Sequence, residues 1–395
     1  VKRVQLAAVA VCQPDDHLVI LAEKDRLDQL APALSEAEFL FLTTAVQREV
    51  ANFFFPRPAG SVFVRVLKPE KDAILTAEAA RLAGNELLRE LRQYKIDAVT
   101  LRNTCSENRA LDFAEGLALG SYQFLKYYSD APKKENPLHQ IRIEQATASE
   151  EAVQELNHLL EAVFLSRDLV NEPHSHFTAL DLAAAAEAAA AAYGFSVDVL
   201  EEEQLASIKM GGLLAVNQAS DVPPRFCILE WNPPGARNNR PVVLVGKGVV
   251  YDTGGLSLKP SEGMDYMKCD MAGAAAVIGV FAAVAQNKLP IHLIGLIPAT
   301  DNKIGKHAIG PGDVIRMYSG KSVEVVNTDA EGRLILADAL HYARKFDPEL
   351  VLDLATLTGA AVKALGTQAI CYMGTASETT KKALEGSGMT TYERL

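Results

Sequence analysis

Short apolar runs alternate with stretches of helical periodicity along the whole chain, and this alternation constrains the fold more than any other feature. In the first part, residues 6–11, 18–21, 61–67 and 98–102 read as strands. Residues 75–91 and 107–128 carry apolar side chains at three- and four-residue spacing and read as helices. A polar stretch with two prolines at 130–137 reads as a linker. After it come a strand at 141–144 and a long helix at 149–170, which ends before Asn171-Glu172-Pro173. From residue 173 the alternation resumes with more continuously apolar strands at 226–230, 242–245, 291–297, 323–326 and 351–354. Helices are expected at 182–193, 272–286 and 332–346. Strands of that kind are usually covered on both faces, so the second part is expected to hold a central sheet between helices. The expected fold class is α/β with two domains. A smaller N-terminal α/β domain spans 1–147, a connecting helix 148–172 and a larger α/β/α sandwich 173–395.

Composition narrows the function. The chain has 39 Lys and Arg against 50 Asp and Glu, a formal net charge of −11. That balance disfavours general binding to nucleic acid or to an anionic membrane surface. The longest run without a polar residue, Met271 to Ala285, falls short of the roughly 20 residues a bilayer span needs. The five cysteines are widely spaced, with no CxxC, which fits a reducing interior better than a disulfide framework. The apolar residues after Val1-Lys2-Arg3 meet Asp15 and Asp16 without a small-residue cleavage site, so they read as a first strand and not a signal peptide. A cytoplasmic location is the expectation.

Two segments of the second part carry the chemistry. One runs from Val245 through Gly246-Lys247-Gly248 and Asp252-Thr253-Gly254-Gly255 to Lys259-Pro260, followed by Asp265 to Asp270. The other is Asn327-Thr328-Asp329-Ala330-Glu331-Gly332-Arg333-Leu334. The first reads as a strand, a glycine-punctuated turn and a loop; in the second, the 323–326 strand runs into Asp329 and Glu331 at the start of a helix. Asp270 likewise precedes the helix at 272. Strand ends and helix starts form the crevice where α/β sheets bind ligands. Asp252, Asp270, Asp329 and Glu331 would repel one another if they converged unpaired, and two divalent cations would balance their charge. No HxxH or HExxH pattern is present, so a metal site here rests mainly on oxygen ligands. Taken singly the features are weaker. An Asp before a helix is more often an N-cap, the lysines could be surface residues, and the glycines could serve tight turns or cradle phosphate. His174-Ser175-His176 reads as loop surface, and Trp231 and the methionines as core.

Together, GKGVVYDTGGLSLKP and NTDAEGRL resemble the two signatures of the leucyl aminopeptidase (cytosol aminopeptidase) family of dinuclear zinc exopeptidases. Similar stretches are Asp168-Leu169-Val170-Asn171-Glu172-Pro173, Met210-Gly211-Gly212-Leu213-Leu214, Pro311-Gly312-Asp313-Val314 and Asp353-Leu354-Ala355-Thr356-Leu357-Thr358-Gly359-Ala360. The resemblance is strong from about 160 to 375. Asp301-Asn302 stands where the family usually has Glu-Asn, and 303–310 is an unusual loop for it. The resemblance implies a catalytic metallopeptidase domain with a mixed central sheet over 173–395, incomplete at its C-terminal end.

By the same resemblance, Lys247, Asp252, Asp270 and Glu331 bind one ion, the more exchangeable one. Asp252, Asp329 (also through its carbonyl) and Glu331 bind the other. Zn is expected, with Mn, Mg or Co possible at the looser site. Lys247 would then be buried with a lowered pKa, because only the neutral amine binds metal. Lys259 would stay charged and stabilise the oxyanion, and Arg333 would bind a bicarbonate that shuttles the proton of a metal-bridging water. Met267, Thr356 and Gly359 would line a pocket for a Leu-like first side chain of peptide substrates. Coordination of a free α-amino group would explain release of N-terminal residues. A homohexamer of two stacked trimers is also implied. The alternatives are a DNA-binding or architectural role, which the charge disfavours, and a dinuclear phosphoesterase.

Overall fold

The computed structural model describes residues 3–361 and the backbone of two further strands. Two compact units emerge, Val1–Glu161 and Ala162–Leu395, so the division falls inside the long helix.

The first unit has six strands: β1 (Gln5–Val9), β2 (Leu18–Ala22), β3 (Asn52–Phe55), β4 (Val62–Val66), β5 (Ala98–Asn103) and β6 (Gln140–Glu144). They form one sheet in the order β1-β6-β5-β2-β4-β3. All neighbours are parallel except β3, which pairs antiparallel with β4. Every residue of β2 and β4 is buried, as expected of central parallel strands. The helices are α1 (Glu36–Val46), α2 (Ala73–Gln93), α3 (Ala110–Gly120), the single turn α4 (Ala131–Lys134) and the start of α5 (Glu150–Asn171). Ser35 and Glu38 close a capping box on α1, and Asp72 caps α2. The helix expected at 107–128 ends at Gly120. Ser121 Oγ donates back to Ala118 O, and Asn136 Nδ2 donates to Ser121 O at 2.6 Å, which satisfies the terminal carbonyls and turns the chain. The expected linker at 130–137 contains the turn α4.

Arg102 on β5 grips Glu144 on β6 with two hydrogen bonds, 2.8 and 2.7 Å, and Cys12 N donates to the same carboxylate. Burial raises the Glu144 pKa, but these donors outweigh it and hold the carboxyl below its ordinary value. A depressed folded pKa contributes stability above the unfolded value and loses it as pH falls through the folded one. Glu144→Gln is therefore expected to cost about 2 kcal/mol at pH 7. Chemical unfolding at descending pH should show that difference shrinking below the usual carboxylate range.

The second unit continues from α5 through α6 (Ala179–Tyr193), β7 (Ser196–Leu200), α7 (Glu202–Ser207), α8 (Gly211–Asn217), β8 (Arg225–Trp231), β9 (Val242–Gly246) and β10 (Gly248–Asp252). Then come the turn α9 (Ser261–Met264), a 3-10 helix (Asp265–Cys269), α10 (Ala272–Gln286) and β11 (Leu293–Asn302). Last are β12 (Val314–Arg316), β13 (Ser322–Glu324), α11 (Glu331–Ala343), β14 (Leu350–Leu354), β15 (Ala369–Met373) and β16 (Thr390–Arg394). The main sheet runs β14-β9-β11-β8-β7, with β10 also on β11. It is mixed: β9, β10, β11 and β14 are parallel, β8 runs antiparallel to β11, and β7 runs antiparallel to β8. Alternation along β9 sorts the layers. Leu244 packs with α6 and α10 on one face, and Val243 and Val245 pack with α8 and α11 on the other. This is the expected α/β/α sandwich. Family resemblance past residue 361, and the expected incompleteness of the C-terminal end, lie outside the described residues apart from the backbones of β15 and β16.

Two expectations need correcting. The apolar run at 323–326 is not a strand of the main sheet. Ser322–Glu324 pairs antiparallel with β12 in a two-stranded ribbon, and Val326 is 79% exposed. The tight turn at Gly320 (φ 80°), with Met317 N bonded to Lys321 O, makes a local hairpin that leaves no room for a crossover. Conversely, 248–252 is a strand and not a turn, because β10 continues along β11 where β9 leaves it.

The segment Ser261–Gln286 is long and apolar enough to cross a membrane by composition, but 67% of its most apolar window is buried, as in a core helix. Asp338 of α11 accepts from Gly212 N (2.6 Å), Leu213 N (3.1 Å) and Tyr318 N (2.8 Å), capping α8 from a distance. Asp338→Ala would orphan two buried N–H groups and a half-buried one, so a loss on the order of 3 kcal/mol is expected in denaturant unfolding.

Candidate metal centre

The cluster forms where the sheet breaks. Lys247 lies between β9 and β10, and its N–H turns to Leu354 O of β14. The break aims its side chain under the first turn of α11. A Cβ on Gly332 would meet Lys247 Cε at 2.6 Å, so a side chain at that position would push the lysine end aside. Lys247 Nζ reaches Asp270 Oδ2 at 2.7 Å and Glu331 Oε1 at 2.8 Å. Both carboxylates belong to helix starts: Asp270 follows the 3-10 helix before α10, and Glu331 opens α11. Lys259 Nζ reaches Asp252 Oδ2 at 2.8 Å and pairs with Asp329.

Lys247, Asp252, Asp270 and Glu331 are each at most 3% exposed, while the Asp329 side chain is 33% exposed and opens the cluster to solvent. Four carboxylates against two ammonium groups leave a net negative, buried site. Burial raises the Asp270 and Glu331 pKa values; Lys247 opposes the rise and Asp252 adds to it. Burial by itself would lower the Lys247 pKa, but Glu331 and Asp270 outweigh it and raise it. Lys247 is buried as expected, and beside two carboxylates it is an ammonium; the lowering was expected of a lysine bound to a cation, which would displace that proton. Burial also works against the Lys259 ammonium, and hydrogen bonds to Asp252 and Asp329 raise its pKa, so it stays charged as expected.

A divalent cation fits these residues. One ligand oxygen each from Asp252, Asp329 and Glu331 lies within 4.8 Å of the others. Oxygen ligands bind such ions at about 2.0–2.2 Å, so a small inward movement would close the shell. The buried Glu331 Oε2 has no hydrogen-bond partner among the described residues, which leaves a lone pair free for an ion.

The neighbours expected at the pocket are placed unevenly. Thr356 Oγ1 donates to Asp270 Oδ1 at 2.7 Å, and its carbonyl accepts from Lys247 Nζ at 3.4 Å, so it belongs to the cluster. Met267 is half-buried on the 3-10 helix before Asp270. Gly359 is exposed at a turn, and Arg333 is exposed in the first turn of α11. Among the described residues no hydrogen bond or ion pair joins Arg333, Met267 or Gly359 side-chain positions to the acidic groups.

Three supporting residues have no assigned role in the sequence reading. Asn302 Nδ2 donates to Asp252 Oδ1 (2.8 Å) and to Thr328 O (3.0 Å). Thr328 Oγ1 donates to Gly254 O (2.6 Å) and accepts from Ser257 N (2.7 Å), while Thr328 N donates to Ser257 Oγ (3.1 Å). The available signal was the buried polar end Thr300-Asp301-Asn302 of the otherwise apolar β11. His174 is not plain loop surface either. Its ring stacks on Tyr251 at 5.1 Å, and its Nε2 lies 4.0 Å from buried Asp301.

A three-layer α/β unit with carboxylates converging at a break in its sheet has the donor set of a divalent-cation enzyme. The family described as "Cytosol aminopeptidase family, catalytic domain" matches residues 164–395. A probable cytosol aminopeptidase of Syntrophotalea carbinolica is 46% identical over 364 residues, which is 89% of this chain and 73% of that protein. One of Chlorobium luteolum is 51% identical over 232 residues, 58% of this chain and 45% of that protein. The chain thus spans less than two thirds of the length of some curated relatives. Among solved structures, a tomato leucine aminopeptidase mutant superposes with a TM-score of 0.85 at 27% identity, covering 100% of this chain and 82% of that one. A bottromycin maturation enzyme in complex with Mn gives a TM-score of 0.80 at 31% identity, covering 96% and 81%. The chain belongs to the cytosol aminopeptidase family.

Proposed function

We propose that this chain is a metal-dependent aminopeptidase that releases N-terminal amino acids, Leu-like ones preferred, from peptides at a two-cation centre. The observation that carries the reading is the buried meeting of Lys247, Asp252, Asp270 and Glu331 beside Lys259 and Asp329. Lys247, Asp252, Asp270 and Glu331 would hold one cation, and Asp252, Asp329 and Glu331 the other. Zn or Mn suits this oxygen-rich set, with Mg or Co as further candidates. When bound, the pair would supply Lewis-acid polarisation of the peptide carbonyl and a water acidic enough to attack near neutral pH.

The chain's own groups do the rest. A free α-amino group, which a peptide offers only at its terminus, would be a ligand for one cation, so one residue is released at a time. The Lys259 ammonium stays protonated and meets the negative charge that develops on the carbonyl oxygen. Thr356 fixes Asp270 through its hydroxyl, and Met267 and Gly359 border the first side chain. Arg333, in the first turn of α11, gains from the helix-start amides and would hold bicarbonate as a proton carrier. A hexameric assembly and a cytoplasmic setting complete the proposal, with the net charge supporting the exclusion of nucleic acid.

Leucyl-anilide hydrolysis, assayed beside an aryl phosphate, tests it. Anilide turnover that a chelator abolishes and Mn or Zn restores is expected; turnover of the phosphate alone would point to the phosphoesterase instead.

A further inference from the structure

We infer that Asn302 and Thr328 are positioning residues that decide which oxygen of Asp252 is offered to a cation and that clasp the two acidic segments together. The inference rests on the metal-centre reading above and deepens it.

Asp252 has two oxygens with different surroundings. Oδ1 accepts from Asn302 Nδ2 at 2.8 Å and from Gly254 N at 2.8 Å, so its lone pairs are committed. Oδ2 faces Lys259 alone among the described residues. The amide therefore pins the carboxylate in one rotation, with Oδ2 turned to the Lys259 ammonium that it shares with Asp329. The second donor hydrogen of Asn302 goes to Thr328 O, one residue before Asp329. The same amide thus spaces Asp252 from Asp329, two acids whose mutual repulsion would otherwise drive them apart.

Thr328 closes the clasp from the other side. Its hydroxyl is both donor and acceptor, to Gly254 O and from Ser257 N, and its backbone N–H returns a bond to Ser257 Oγ. Segment 252–259, which carries Asp252 and Lys259, is thereby tied to segment 328–331, which carries Asp329 and Glu331. Gly255 makes the approach possible. Its φ is +64°, and a Cβ there would meet Thr328 Oγ1 and Asn302 Oδ1 at 3.0 Å each. Asn302 is 3% exposed and Thr328 1%, so no water competes for these bonds. Neither residue carries charge or reaches the open side, which makes both supporting groups and not ligands. Outer partners of this kind typically change metal affinity about 10–100-fold when removed.

The test is titration of the full chain with Mn2+ alone, followed by calorimetry and equilibrium dialysis, with thermal unfolding of the metal-free chain recorded for each variant. Asn302→Leu and Thr328→Val keep volume and remove the polar contacts. Each is expected to weaken at least one Mn2+ equivalent by about 10–100-fold. Thr328→Ser keeps the hydroxyl and is expected to bind within about threefold of the parent. A purely structural role would lower the unfolding temperature of all variants together and leave Mn2+ affinity unmoved in those that fold; that result overturns the inference. Where Thr328→Val does not fold, Thr328→Ala, which makes no steric demand, is read against the same two outcomes. A parent chain that binds no Mn2+ would overturn the metal-centre reading itself, and parent-like binding by the variants would overturn this inference alone.

Discussion

Glu331→Ala is expected to lower leucyl-anilide turnover by on the order of 10^3-fold or more, beyond the 10–100-fold typical of an outer-shell loss. The reason is position. Glu331 opens α11, is 1% exposed, and among the described residues is the one carboxylate that both faces Lys247 and lies within ligand range of Asp252 and Asp329. In the proposed centre it serves both cations, so its removal takes a ligand from each. The fold should tolerate the change. Lys247 keeps Asp270 at 2.7 Å, and a carboxylate whose pKa burial has raised is one the native state holds at some expense. The measurement is kcat/KM beside bound Mn2+ and a thermal melt. Lost turnover, lost metal and a retained melt are expected; wild-type turnover would show the ligand assignment to be wrong.

Lys259→Met should produce a different signature, a fall in kcat of about 10^2–10^3-fold, the usual cost of removing one donor to a developing oxyanion. Its ammonium is shared between Asp252 Oδ2 and Asp329, and both bonds keep it protonated. Removing it frees carboxylate oxygens for cations, so metal affinity should hold or rise while the chemical step slows. KM should change little, since the charge it meets is larger in the transition state than in the bound peptide. A parallel loss of Mn2+ would reassign Lys259 to holding the acidic cluster together. The contrast between the two variants separates ligand from electrostatic helper.

Much of this architecture was legible in the residues. The apolar runs at 242–245 and 351–354 announced parallel strands, the first buried and the second only half-buried, and helical periodicity located α2, α6 and α10 to within a few residues. The acidic positions could be read because each lies at a strand end or helix start. Sheet membership was harder to see. Hydrophobicity alone cannot distinguish a main-sheet strand from the exposed ribbon at β13, where Val326 is solvated and a glycine turn decides the pairing. Gly248 to Asp252 looked like a turn because its glycine allows close packing on β11 as readily as it allows bending; a Cβ on Gly248 would meet Pro298 O at 2.7 Å. The clasp of Asn302 and Thr328 depends on hydrogen bonds across 26 to 74 residues, which no local pattern encodes. Lys247 was read as the neutral amine of a cation-bound site, and in the structure its Nζ lies between two carboxylates at 2.7 and 2.8 Å.

The central claim is that these carboxylates form a cation site on which turnover depends. Elemental analysis of the purified, active chain, paired with leucyl-anilide assays before and after chelation, tests it most directly. The account predicts about two divalent ions per chain and a turnover that falls and recovers with them. Full activity in a chain that carries no bound metal would contradict it.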